Sequence, residues 1–185
     1  MTDGVDQGWW AAVPKALMSL VPVFGRTSLR SVSRLVIARA LVLRTILAMW
    51  FLLAVLIVLA GTGDADGGFV PWALLGGVSL LGVVSVIRLR RIPPKALRPG
   101  TEPAALFTSH TARIDAAAVA PALVGFVGFF LGGGLACYVA GMLVCHALLA
   151  FAVPSHAMID RLQGWLEQLG YDTDLHSAII VQPWD

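Results

Sequence analysis

AAAVAPALVGFVGFFLGGGLACYVAGMLVCHALLAFAV, residues Ala116–Val153, runs for 38 residues without one Asp, Glu, Lys or Arg. At about 1.5 Å rise per residue a helix of that length reaches nearly twice the roughly 30 Å hydrocarbon core, so one straight span is excluded and two are expected. Gly132, Gly133 and Gly134 stand near its centre. Three glycines in a row cost a helix about 1 kcal/mol each against alanine and tolerate the positive φ of a tight reversal. The stretch therefore predicts a helical hairpin with arms 116–131 and 135–153.

The arms carry small residues at helical spacing. Ala118, Pro121, Gly125, Gly128 and Gly132 recur every three or four positions, and Gly128 with Gly132 makes a GxxxG pair; Ala136, Ala140 and Ala147 form the expected answering stripe on the second arm. Lipid supplies little hydrophobic drive between helices, so association depends on the close backbone approach that small residues permit. Helix-packing contacts, with the other arm or with a partner chain, are expected at these positions.

Outward from the hairpin, the rest of the chain reads as attachments to a membrane protein. Of its 185 residues 58% are hydrophobic and 13% charged, which excludes a soluble domain of ordinary composition. Two Lys against eleven Arg, no Asn and abundant Ala, Gly, Val and Leu are the bias expected of a G+C-rich genome, and a bacterial origin is the expectation. Thr45–Gly61 is a second apolar run and Phe69–Ile87 a third, separated by a Gly-rich loop that carries only acids. Six basic residues precede the first run, six lie between Arg88 and Arg113, one follows Val153, and none occupies the two remaining turns. The positive-inside rule gives one arrangement: four spans in the bacterial cytoplasmic membrane, both termini cytoplasmic. Asp3 and Asp6 stand where a secretory signal carries positive charge, so the first span is expected to act as an uncleaved anchor.

The expected fold is all-α: a polytopic integral membrane protein of four transmembrane helices in two hairpins, with interfacial amphipathic helices at both ends. It divides into a basic N-terminal segment (1–44), the first hairpin (45–87), a basic Pro-rich loop (88–115), the second hairpin (116–153) and an acidic tail (154–185). In the first segment Trp9 and Trp10 suit the headgroup level. Ser28–Ala60, free of Gly and Pro, allows one helix capped by Thr27 or Ser28, with Arg26, Arg30 and Arg34 at i, i+4, i+8 as a basic collar. Arg39 falls on the apolar side of that helix and Arg44 directly precedes the clean run; both, like the collar, are expected to contact anionic lipid or a partner. In the tail, Met158, Ile159, Leu162, Leu166 and Leu169 form an apolar stripe ended by Gly170, and Ser177–Gln182 reads as strand-like.

Few residues could carry chemistry. No acid lies inside a span, and Asp115 at the mouth of the third is explained by Arg113 two positions away. His146 is the only imidazole in the charge-free stretch; it suits an interhelical hydrogen bond, and as the one candidate cofactor ligand it would serve haem or a metal. Cys137 and Cys145 stand about 12 Å apart on one helix, beyond disulfide reach, and lack CxxC spacing. Asp172, Asp174 and His176 alternate with no supporting ligand motif. His110 and His156 are expected to be solvated. No P-loop, GxGxxG, GxSxG or HExxH is present, and the basic blocks lack the aromatic interleaving of nucleic-acid binders. The expectation is a non-catalytic accessory, scaffold or assembly subunit of a larger membrane complex, with no cofactor and with anionic lipids and other subunits, or itself, as partners. A self-associating pore or small transporter, and a redox or haem protein built on His146, are the alternatives.

Overall fold

Ser33 opens the first long helix: its carbonyl accepts from the Ile37 N–H at 3.1 Å and its hydroxyl oxygen from the Val36 N–H at 3.4 Å, the bonds of a serine N-cap. The chain is seen in a computed structural model that describes residues 8–20, 33–60, 68–91, 103–153, 155–168, 170–172 and 174–180. The helices are α1 (Ala12–Leu20), α2 (Arg34–Ala60), α3 (Phe69–Arg91), α4 (Pro103–Gly128), a π-type turn (Phe129–Gly133), α5 (Gly134–Ala152), α6 (His156–Gln168) and α7 (Leu175–Ile180). All regular structure among the described residues is helical. Three helical stretches, Arg34–Val58, Phe69–Arg91 and Ala105–Ala152, are long and apolar enough to cross a membrane. Phe51, Val58, Phe69, Leu80, Leu81 and Leu143 on them are exposed, a density of bare apolar side chains that suits lipid and not water.

The first long helix differs from expectation at its start. It begins at Arg34, not Ser28, because Ser33 caps it; Thr27 and Ser28, with Arg26 and Arg30, lie outside the described residues. Arg34 is therefore in the first turn of α2.

The chain divides into two compact units. The first comprises Met1–Arg44, Arg90–Ala112 and Val153–Asp185. In it α1 lies on the start of α2 through Ala12, Ala16, Val36 and Ala40, four small or β-branched residues spaced by four on each helix, with Ala11 and Leu43 at the edge. Pro14 is tolerated because it falls in the first turn of α1, where its missing N–H has no intrahelical partner to lose. Met158, Ile159, Leu162 and Leu166 of α6 are buried, as the apolar stripe requires. That helix ends in a Schellman motif: Gly170 takes φ 80°, its N–H donates to the Glu167 carbonyl at 2.9 Å, and the Tyr171 N–H donates to the Leu166 carbonyl at 3.0 Å.

The strand-like reading of Ser177–Gln182 is overturned: its described part belongs to α7. The Ala178 N–H and the Ser177 hydroxyl both donate to the Asp174 carbonyl, at 3.1 and 2.9 Å. The Gln163 Oε1 accepts from the Leu175 N–H at 2.8 Å, which satisfies an orphan donor of the new helix from α6. Among the α7 residues whose burial is described, Leu175 and Ile179, at i and i+4, are buried. A helical period, and not alternation, is what the burial selects.

The second unit comprises Thr45–Leu89 and Arg113–Ala152. Here the reversal expected at the glycine triplet is present. Gly132 takes φ 90°, ψ 4° and Gly134 φ 61°, ψ −174°, conformations that L side chains rarely adopt. The chain then returns along itself so closely that a methyl group on Gly125 would stand 2.8 Å from the Cys137 carbonyl oxygen and 3.3 Å from the Cα of Gly141. In an unbroken helix residues 125 and 141 would be about 24 Å apart. The 48-residue stretch Ala105–Ala152 thus forms two antiparallel arms. From α3, Gly82 meets the first arm at the Ala117 carbonyl, with 3.1 Å left for a Cβ.

Candidate interaction site

The packing face of the hairpin is built from backbone. On α4, Ala118, Pro121, Gly125 and Gly128 are buried and Gly132 in the turn is half-buried. Opposite them on α5 stand Cys137, Tyr138 and Gly141, and a Cβ on Gly141 would collide with the Pro121 carbonyl oxygen. Ala136 and Ala147 are exposed and Ala140 is half-buried. The contact between the arms therefore runs along the 137/141 edge of α5, about 100° around the helix from the alanine stripe, and it is Gly141 that completes the notch. A single glycine among alanines at i+1 left this unsigned in the sequence. Cys137 and Cys145 are both buried free thiols, and the Cys137 Sγ fills the space beside Gly128.

A polar bond ties the hairpin to α2. The Tyr138 hydroxyl, buried, donates to the Met49 carbonyl at 2.9 Å, while Phe126 meets the Tyr138 ring edge-on at 6.1 Å between centroids. His146 lies just over two turns further along α5. Its Nδ1 is 2.7 Å from the Met142 carbonyl, which can only accept, so Nδ1 carries the proton and donates. The ring meets Trp50 edge-on at 6.1 Å, and its Nε2 is enclosed with no hydrogen-bond partner among the described residues. The tautomer is the one a metal-ligating histidine uses. Yet among the described residues no three His, Cys, Asp or Glu side chains come together in a way that could hold a metal ion.

The arginines of the first unit separate by environment. Arg39 is only 4% exposed, and its guanidinium carbon lies 5.4 Å from the centroid of the Trp9 ring, so its charge is turned onto an aromatic face beside the α1–α2 contact. Arg34 is half-buried and Arg44 exposed. His156 is exposed as expected, but His110, expected in solvent, is 3% exposed. The residues that enclose it come from far along the chain and leave no local mark.

No protein-family model matches this chain, and no curated protein or solved structure matches it either.

Proposed function

We propose that this protein is a non-catalytic integral membrane subunit, an accessory, scaffold or assembly factor of a larger complex in a bacterial cytoplasmic membrane. Its four spans run at about 45–61, 69–87, 116–131 and 135–153, with both termini cytoplasmic. The observation that carries this reading is the glycine notch: Gly125, Gly128 and Gly141 bring two arms into backbone contact, which fills the interior of the hairpin and leaves a shape to be recognised in place of a path to be travelled. The charge partition supports it as well, since a tail with five acids and one Arg and a basic loop with six cations offer surfaces of opposite sign to partners. The His146 tautomer favours the redox alternative, and the same experiment separates the two.

Two measurements test the reading. Single cysteines at Asp64 and Pro99, with Cys137 and Cys145 replaced by Ala, are expected to label from opposite sides of intact cells; labelling from one side refutes the topology. Extraction in a mild detergent followed by native mass measurement and absorption spectroscopy is expected to yield foreign subunits in stoichiometric amount, released when 154–185 is deleted. A homo-oligomer would favour the pore, and a visible chromophore lost in His146→Ala the redox protein. A clean monomer unchanged by the deletion overturns the subunit reading.

A further inference from the structure

Asp115 stands at the open end of the hairpin, 17 residues before Gly132 on α4 and directly ahead of the proposed third span. Its side chain is half-buried, and Ile114 and Ala118 beside it are fully buried. The pairing with Arg113 that the sequence suggests is not formed. Two positions apart on a helix, side chains diverge by about 160°, and Arg113 is exposed. Among the described residues Asp115 makes no hydrogen bond or ion pair. Across the contact with α5, the buried thiol of Cys145 lies within its electrostatic reach. His146, next along, is engaged elsewhere through Met142 and Trp50. On the neighbouring helices the cations Arg44 of α2 and Arg88 of α3 are exposed. Burial raises the Asp115 carboxyl from its ordinary 3.8 to about 6.

We propose that Asp115 is a proton-binding switch for the open end of the hairpin. Protonated, its neutral carboxyl stays packed beside α5; ionised, it draws water to itself and loosens the contact between the arms next to Cys145. The arms can respond only at this end. At the closed end Gly132 and Gly134 hold the turn, and at mid-length Gly125 and Gly141 leave no room between the backbones. Beyond that notch the arms bury side chains instead, Ile114 and Ala118 on α4 and Cys145, Leu148 and Leu149 on α5, which can shift as backbone cannot. Because the carboxyl holds its proton more tightly in the fold than in the unfolded chain, the proton's stabilising contribution is complete below pH 3.8 and is lost as pH rises through about 6.

The full-length protein in dodecyl maltoside, compared with Asp115→Asn at about pH 5 and about pH 7, tests this by SDS titration and by alkylation of the native thiols with N-ethylmaleimide. Asparagine keeps the shape of the neutral carboxyl. Between the two conditions the wild-type folding constant is expected to fall about tenfold further than that of the variant. Cys145 is expected to react at equal rates in both proteins at the lower pH and at least threefold faster in wild type at the higher, the variant correcting for the thiol's own titration. Within wild type alone, Cys137 beside the notch is a second reference, and the ratio of Cys145 to Cys137 modification is expected to rise with pH. An infrared band of a protonated carboxyl, lost over this interval and missing from Asp115→Asn, assigns the proton to this residue. Equal pH dependence of stability in the two proteins, or a Cys145 to Cys137 ratio that does not change with pH, overturns the proposal.

Discussion

Gly141→Leu is expected to cost about 3 kcal/mol or more of stability, the upper end of overpacking penalties, when unfolding is followed by SDS titration in mixed micelles. The reason is what a side chain at 141 meets. Its first carbon would strike the Pro121 carbonyl oxygen and stand 3.2 Å from the Gly125 Cα, so both obstacles are backbone and neither has a rotamer to yield. The arms would have to separate, exposing the Tyr138 bond to Met49 as they do so. Gly76→Ala and Gly77→Ala are the controls. Nothing lies within 4 Å of a Cβ at either position of α3, so exchanging a helical glycine for alanine there is expected to be neutral or stabilising by up to about 1 kcal/mol. A Gly141 variant no less stable than these would show that the arms do not touch at this point.

The second large effect is expected at the reversal. Gly134 combines φ 61° with ψ −174°, a region held almost solely by glycine, and Gly134→Ala is expected to cost about 2–3 kcal/mol in the same titration. Gly132, at φ 90° and ψ 4°, lies closer to the left-handed helical region, where asparagine is tolerated. Gly132→Asn is therefore expected to be milder than Gly132→Val by about 1 kcal/mol or more. If Asn and Val cost the same, the turn does not use positive φ at 132.

How far the sequence reaches is clear from these residues. A reversal inside a charge-free stretch nearly two hydrocarbon cores long had to be marked by residues that tolerate φ > 0, and the triplet at 132–134 is where three of them stand together near its centre; Gly170 likewise marks a helix end by its own chemistry. Local conformational constraint is legible because one residue type carries it. The C-terminal run was misread because Ala178, Ile179 and Ile180 fit a strand as well as a helix, and the choice is made by Gln163, twelve positions upstream of Leu175. The face of α5 used in the hairpin was missed for a similar reason: Ala140 and Gly141 are neighbours, 100° apart on the wheel, and the shape of the opposing arm selects between them. His110 and Arg161 meet in one cleft 51 positions apart, and neither has a spacing that announces the other. What was legible in the membrane-spanning part was apolarity and length; what was not was the angular position of each helix about its own axis, which apolar sequences of near-uniform hydrophobicity leave open.

The backbone notch between Gly125 and Gly141 also determines how the hairpin answers a change in bilayer thickness. Helices joined by interdigitating side chains can slide by a fraction of a turn as rotamers readjust, but here Pro121 and Gly125 seat on Gly141 with no adjustable atoms between them. Axial sliding of one arm against the other is blocked in both directions, by the notch at mid-length and by the strained glycines at the closed end. For two arms that cross the bilayer as proposed above, the cheap response to a thinner or thicker hydrocarbon layer is to tilt as one body, at a cost of fractions of a kcal/mol per Å of mismatch. Under that proposal the hairpin is a rigid lever whose inclination follows membrane thickness.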